Sequence, residues 1–183
     1  WSNKPKIKSN KFFILKKQHA GQDHKHKINI ICNILKKKKL KNLLITAPEN
    51  VAWMLNIRGG DSAFSPIPNC NAIVNYKKKI TFIVDSNKIN KNFKFRFGKN
   101  FKYIKPSNII KYLNSLNNKE NFLIDKVTCS IFYKTVIAKR FKYIEKIDPI
   151  FFLKSKKNSV EINNTIKSHV YDGIALTKFI FWI

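Results

Sequence analysis

Arginine is scarce in this chain. Of its 37 basic residues only Arg58, Arg96 and Arg140 carry the guanidinium fork. That argues against a surface built for specific phosphate or base contacts, where the fork is favoured. Acid is scarce too: ten Asp and Glu are scattered, and no two share an evident site. Cys32, Cys70 and Cys129 are odd in number, far apart and lack a C-x-x-C pair, which excludes a disulfide framework. They suit small buried thiols in a reducing, cytoplasmic compartment. His24 and His26 flank Lys25 beside Asp23, but no third or fourth ligand follows, so a metal site is not supported. His169 is the only histidine beyond position 26, and no Ser-His-Asp set is arguable. There is no P-loop, no G-x-G-x-x-G, no internal repeat and no secretory signal. No apolar run is long enough to span a membrane, and no membrane partner is expected.

What is present is lysine and apolar residues. The 183 residues are 44% hydrophobic and 13% aromatic, enough to bury a core, and carry a formal net charge of +27. Such a charge raises the possibility of nucleic acid or an anionic surface as partner. Lys, Asn, Ile and Phe are abundant together, as an AT-rich genome would encode them, and the lysines are spread along the chain. The favoured reading is solvated surface charge with no specific nucleic-acid partner; a polyanion partner is the alternative. The chain starts at Trp1 and ends in "FIFWI", which reads as an internal piece of a longer protein.

Residues 1–22 are polar apart from Phe12 to Leu15 and read as a connecting segment. Asp23 caps an expected helix over 24–39, with Ile28, Ile31, Cys32 and Leu35 as its apolar stripe. "NLLIT" is a buried strand, and Pro48 and Glu49 make a good first helical turn. "NAIVNY" and "ITFIVD" pair across the lysine turn 77–79. "FKFRFGKNFKYI" alternates aromatic and basic residues. Single-strand nucleic-acid binders do this, and so does a half-buried strand, the favoured reading. A helix over 107–116, the strand "NFLID", the helix "SIFYKTVIAKR" and the strand "FKYIEKI" follow. The class is α/β, a mixed sheet flanked by helices. Near 154 a basic linker feeds a long helix whose Asn158 and Glu161 have capping-box spacing. Its stripe runs through Ile162, Ile166, Val170 and Ile174.

The stretch "VAWMLNIRGGD" at 51–61 runs a buried element straight into a charged, glycine-hinged loop. Loops fixed to a rigid element are where function concentrates. The segment from Arg58 to Asp61 is therefore a candidate functional loop. The plainer alternative is that Arg58 and Asp61 pair with each other or cap an element while the glycines make a tight turn.

"ITAPENVAWMLNIRGGDSAFSPIPNCNAIV" resembles the Xaa-Pro aminopeptidases (aminopeptidase P). Thr46, Ala47, Ala52, Trp53, Asn56, Arg58, Gly59, Asp61, Pro66 and the strand 72–74 match that family's pattern. Pro48-Glu49-Asn50 departs from the usual Leu-Asp-Asp/Glu, and Gly60 stands for the usual Ser. Trp1 and Pro5 resemble the W-x-x-R-P segment between the family's first two domains, with Lys4 in place of Arg. "HAGQDHKHKI" is similar to the family's entry into the first helix of the second domain. Lys157, Asn158, Glu161, His169, Asp172, Gly173, Ala175, Leu176, Phe179 and Trp182 resemble the start of its catalytic domain; Asn164 and Ile166 or Lys167 replace the usual Gly and Arg.

The resemblance implies a connector at 1–22 and a creatinase-like second domain at 23–153. It makes 154–183 the linker and first helix of a pita-bread catalytic domain, and it makes Asn56, Arg58, Gly59 and Asp61 the candidate site residues, a loop facing that domain or its substrate channel. It implies a parent enzyme that removes the residue before a proline in second position. The parent would use two manganese or similar divalent ions bound by two Asp, one His and two Glu, and act on proline-containing peptides as a homodimer. In the family pattern those five ligands lie beyond Ile183, so no catalytic or metal-binding residue and no cofactor is assigned to this chain, and it is expected to be inactive alone. A non-catalytic creatinase-type binding or assembly module is the rival reading.

Overall fold

The computed structural model describes residues 2–3, 10–89 and 91–183. Trp1, Lys4 and Pro5, singled out above, lie outside the described residues. The elements in chain order are β1 (Phe13–Ile14), α1 (Lys17–Ala20), α2 (His24–Lys37), β2 (Asn42–Ile45), α3 (Pro48–Leu55) and β3 (Ile57–Arg58). β4 (Asn71–Asn75), β5 (Ile80–Ile83), α4 (Lys91–Phe97), β6 (Phe101–Ile104), α5 (Ile109–Asn114) and β7 (Asn121–Asp125) follow. α6 (Ile131–Ala138), β8 (Lys142–Lys146), α7 (Pro149–Ser155) and α8 (Ser159–Trp182) complete the chain.

Six strands form one mixed sheet in the order β6-β5-β4-β2-β7-β8, and β1 pairs with β3 in a separate two-stranded ribbon. Only β4 runs against its neighbours; β2–β7, β7–β8 and β5–β6 are parallel pairs. Period-two alternation divides the core between the faces. Leu43, Ile45, Val74, Phe82 and Leu123 point to one side and pack with α2, α3 and Ile150 of α7. Leu44, Ile73, Phe122 and Ile124 point to the other and pack with Ile109, Leu113 and Ile137 of α5 and α6. Strands covered on both faces read as continuous apolar runs, which is why "NLLI" is buried throughout. The mixed α/β class read from the sequence is the architecture found.

Three local expectations change. "FKFRF" is the helix α4, not part of a strand. Phe93 and Phe97, four residues apart, share one helical face; their rings are 4.6 Å apart and both are buried in the first core. Gly98, at φ 65, ends this helix in the left-handed region where a Cβ is disfavoured. The helix from Asp23 stops at Lys37, and Lys39 turns the chain at φ 54. The helix expected over 107–116 contracts to 109–114 behind one 3-10 turn. The apolar patch at 12–15 is also built into the fold. Phe12 is buried against Phe82 and Phe93, and Phe13 and Ile14 pair with Arg58 and Ile57.

α8 differs from the other α-helices: none of its residues is buried. Its first turn is anchored by the capping box and by Asn158 Nδ2, which donates to Ala20 O at 3.0 Å.

Candidate functional site

α3 begins with Pro48 in its first turn, where a missing N–H costs nothing, and ends at Asn56 in the left-handed region, φ 51. Asparagine is among the few residues that adopt this conformation readily. The cap turns the chain sharply into β3 and so aims the loop from Arg58. The Asn56 side chain is itself held: Nδ2 donates to Gln22 O at 2.7 Å, and Oδ1 accepts from Lys27 Nζ at 2.8 Å. Lys27 Nζ also donates to Trp53 O at 3.0 Å and stands 4.0 Å from the centre of the Trp53 ring. Lys27 is 1% exposed, and burial pushes its ammonium down to about 8, with Glu161 opposing and Arg58 adding to the shift. Sequence reasoning missed Lys27 as a support of the loop; it appeared only within the "HAGQDHKHKI" match.

Arg58 is half-buried and turns back on its own element. Its Nη1 donates to Ile57 O at 2.8 Å and more weakly to Ala52 O at 3.4 Å. Burial lowers its pKa, and Glu161 partly opposes. It does not pair with Asp61, and no carboxylate is within ion-pair distance of it among the described residues. Gly59 has no room for a side chain, because a Cβ would lie 2.9 Å from the Cβ of Pro68. Its N–H donates to Pro66 O at 3.0 Å, closing the loop.

Asp61 ties the loop to the body. Oδ2 accepts from Lys88 Nζ and from the Asn69 N–H, both at 2.6 Å, and Oδ1 accepts from the Asn10 N–H at 3.1 Å. Burial alone would push its carboxyl up; Lys88 and the two amides outweigh that and hold it below the usual range. Lys88 is 27 residues away and carries no local signal of this role. The four candidate residues thus divide: Asn56, Gly59 and Asp61 are committed to shaping the loop, while much of the Arg58 fork is left over.

Arg58 lies on the wall of a recess of about 260 Å³ with Glu49, Trp53 and Ile67, closed on the far side by Lys157 and Glu161 of the α7–α8 junction. The loop residues Ser62, Ser65 and Asn69 line a second recess of about 330 Å³ that also reaches Glu49.

The donor set does not fit a metal pair. Among the described residues no group of three or more His, Cys, Asp or Glu stands close enough to hold an ion. The buried acids are already engaged. Asp125 accepts from Thr128 and the Asp148 N–H, and Asp148 accepts from the Ile150 N–H and Asn50. His24 is buried against Asp23 while His26 is exposed, so the two histidines do not converge. The three cysteines are free thiols.

Residues 3–161 match the family model described as the creatinase/prolidase N-terminal domain, and the chain belongs to that family. It is 29% identical to Xaa-Pro aminopeptidase 1 of Dictyostelium discoideum over 98% of this chain and 28% of that protein. It is 31% identical to Xaa-Pro aminopeptidase ApepP of Drosophila melanogaster, over 99% of this chain and 30% of that one. The chain therefore spans less than a third of the length of these relatives. Its fold superposes on the crystal structure of X-prolyl aminopeptidase from Caenorhabditis elegans, described as a cytosolic enzyme with a di-nuclear active site. The TM-score is 0.89 at 22% identity, covering all of this chain and 30% of that one. No helix among the described residues is long and apolar enough to cross a membrane.

Proposed function

We propose that this chain is the non-catalytic, creatinase-like part of a metal-dependent Xaa-Pro aminopeptidase, which removes the first residue of peptides with proline in second position. The observation that carries this reading is the place of Arg58. It sits without a carboxylate partner, among the described residues, in a recess shared with the first turn of α8, the helix that resembles the start of the family's catalytic domain. There the free part of its fork meets either the peptide substrate or the facing catalytic domain. Residues outside this chain hold the divalent metal pair, manganese in this reading. The division of the chain at 22 and 154, a homodimeric parent and a cytoplasmic location belong to the same reading.

The test is kinetic and uses the full-length parent. Arg58→Ala should reduce kcat/KM for an Xaa-Pro peptide by about 1–3 kcal/mol, the scale of a charged hydrogen bond. Arg96→Ala, placed on α4 near His24, should leave it close to wild type. Near-wild-type kinetics for both variants would confine Arg58 to its two carbonyl contacts. Residues 1–183 alone should show no turnover with or without manganese.

A further inference from the structure

The five mutually parallel strands, β2, β5, β6, β7 and β8, all begin at one edge of the sheet. Lysine crowds that edge. The run 36–39 closes α2 just before β2, and the turn 77–79 leads into β5. Lys99 precedes β6, Lys119 precedes β7, and Lys139 with Arg140 precedes β8. Carboxylates that flank strands stand at the opposite edge: Glu49 beyond β2, Asp85 beyond β5, Asp125 at the end of β7 and Asp148 beyond β8. The acid at the basic edge, Glu120, is engaged by Asn42 Nδ2 at 2.7 Å. Lys105, Lys126 and Lys146 stand at that opposite edge as well, so the two edges differ chiefly in where the acids lie.

In the middle of the basic edge, between the β4–β5 hairpin and α5, lies a recess of about 310 Å³. Lys41, Lys77 and Lys79 stand around it with one acid, Glu120, which Asn42 engages, and Asn75 and Thr81 also line it. This lining is fixed rather than loose. Asn75 Nδ2 donates to Asn42 Oδ1 at 2.8 Å, Thr81 Oγ1 donates to the Tyr112 hydroxyl at 2.7 Å, and Lys41 Nζ donates to Lys119 O at 2.8 Å. Two lysines of the neighbouring turns, outside the lining itself, occupy left-handed backbone, Lys39 at φ 54 and Lys78 at φ 64. Glycine or asparagine is more comfortable there. Asparagine is abundant in this chain, so composition alone does not force lysine into both turns.

Three lysines against one carboxylate leave the recess with an excess of positive charge; a concave site with such an excess concentrates counter-ions, and this volume lies in the range that holds small ligands. We propose that the recess binds a small polyphosphate anion, its linked phosphates shared among Lys41, Lys77 and Lys79. The ammonium groups act here as point charges on flexible stems, which does not require the arginine fork the chain lacks.

The probe is tripolyphosphate, titrated into the 183-residue chain at about 0.15 M salt, where diffuse surface attraction is screened. Calorimetry and the amide shifts of Asn42, Asn75 and Thr81 are the readouts. Saturable one-to-one binding with shifts confined to the recess is expected. Charge reversal at Lys77→Glu with Lys79→Glu should weaken it by about tenfold or more, since both act as direct phosphate partners. The same net change at the opposite edge, Lys105→Glu with Lys126→Glu, should cost less than about twofold. All four side chains are exposed, and circular dichroism checks that the fold survives. Equal weakening by the two pairs, or binding that never saturates, overturns the proposal and leaves a diffuse field. A single-stranded RNA oligomer that occupies the same recess more tightly than tripolyphosphate overturns it in favour of a nucleic-acid surface.

Discussion

α3 and α8 are both rich in apolar residues, yet one is among the best buried elements of the chain and the other has no buried residue. In α3, Val51, Met54 and Leu55 are fully buried between the sheet and the neighbouring helices. In α8, Ile162, Ile166, Val170 and Ile174 form a regular stripe, each about half exposed. The comparison teaches that an apolar stripe specifies a helix but not its partner. Burial is set by what stands opposite, and nothing in the described residues stands opposite most of α8.

The largest effect expected is on association. Phe179, Ile180 and Trp182 extend the exposed stripe to the end of α8, and contiguous apolar surface of this kind drives self-contact. The chain should associate with rising concentration in sedimentation runs, and a chain ending after Ser155 should stay monomeric. Substitution sharpens the contrast next. Leu55→Ala should lower stability by about 2–5 kcal/mol, the cost of a core truncation. Leu176→Ala, more than half exposed, should change urea unfolding by no more than about 0.5 kcal/mol.

Charge holds α3 at both ends, which gives it a pH signature. Burial pushes Lys27 down to about 8 from an ordinary 10.5, so the folded state disfavours its proton. The penalty is present in full below pH 8 and is relieved as pH rises toward 10.5. Burial pushes Asp148, bonded to Asn50 of α3, up to about 6, chiefly against the pull of the Ile150 amide and Asn50. Its contribution is fully present below the ordinary carboxyl range and is lost as pH rises through 6. Stability should therefore fall between pH 4 and 6, and climb between pH 8 and 10, by roughly 2–3 kcal/mol each. Asp148→Asn should flatten the first change and Lys27→Met the second in denaturation series across pH. The most local effect belongs to the start of α8. Asn158→Ala removes its cap and should cost about 1 kcal/mol, read as faster hydrogen exchange confined to the first turns of the helix.

The alternation of strands and helices was legible because both-face burial leaves continuous apolar runs such as "NLLI" and "NFLID". Residues 93–97 misled because phenylalanine at every second position also places Phe93 and Phe97 four apart, on one helical face. Gly98, the better clue to a helix end, went unread. The loop from Asn56 was legible as a place, and its glycines as a turn. Its fastenings were not: Lys27 meets Asn56 across 29 residues and Lys88 meets Asp61 across 27, and no local pattern encodes such pairs. Arg58 and Asp61 do not serve each other: Arg58 turns back to carbonyls of its own strand and of α3, as the capping alternative allowed, while Asp61 takes Lys88 from elsewhere in the chain.

Among the described residues the sheet is open at both margins, β6 on one side and β8 on the other. Each margin presents unpaired backbone groups that a strand from another molecule could complete, the first step toward fibrous stacking. β8 reads Lys142-Tyr143-Ile144-Glu145-Lys146, and β6 carries Lys102 with Lys105 just beyond. A second copy approaching either margin must desolvate ammonium groups and bring its own lysines against them. Part of the lysine excess thereby insulates the sheet's borders, which directs association to the apolar stripe of α8 and away from strand pairing.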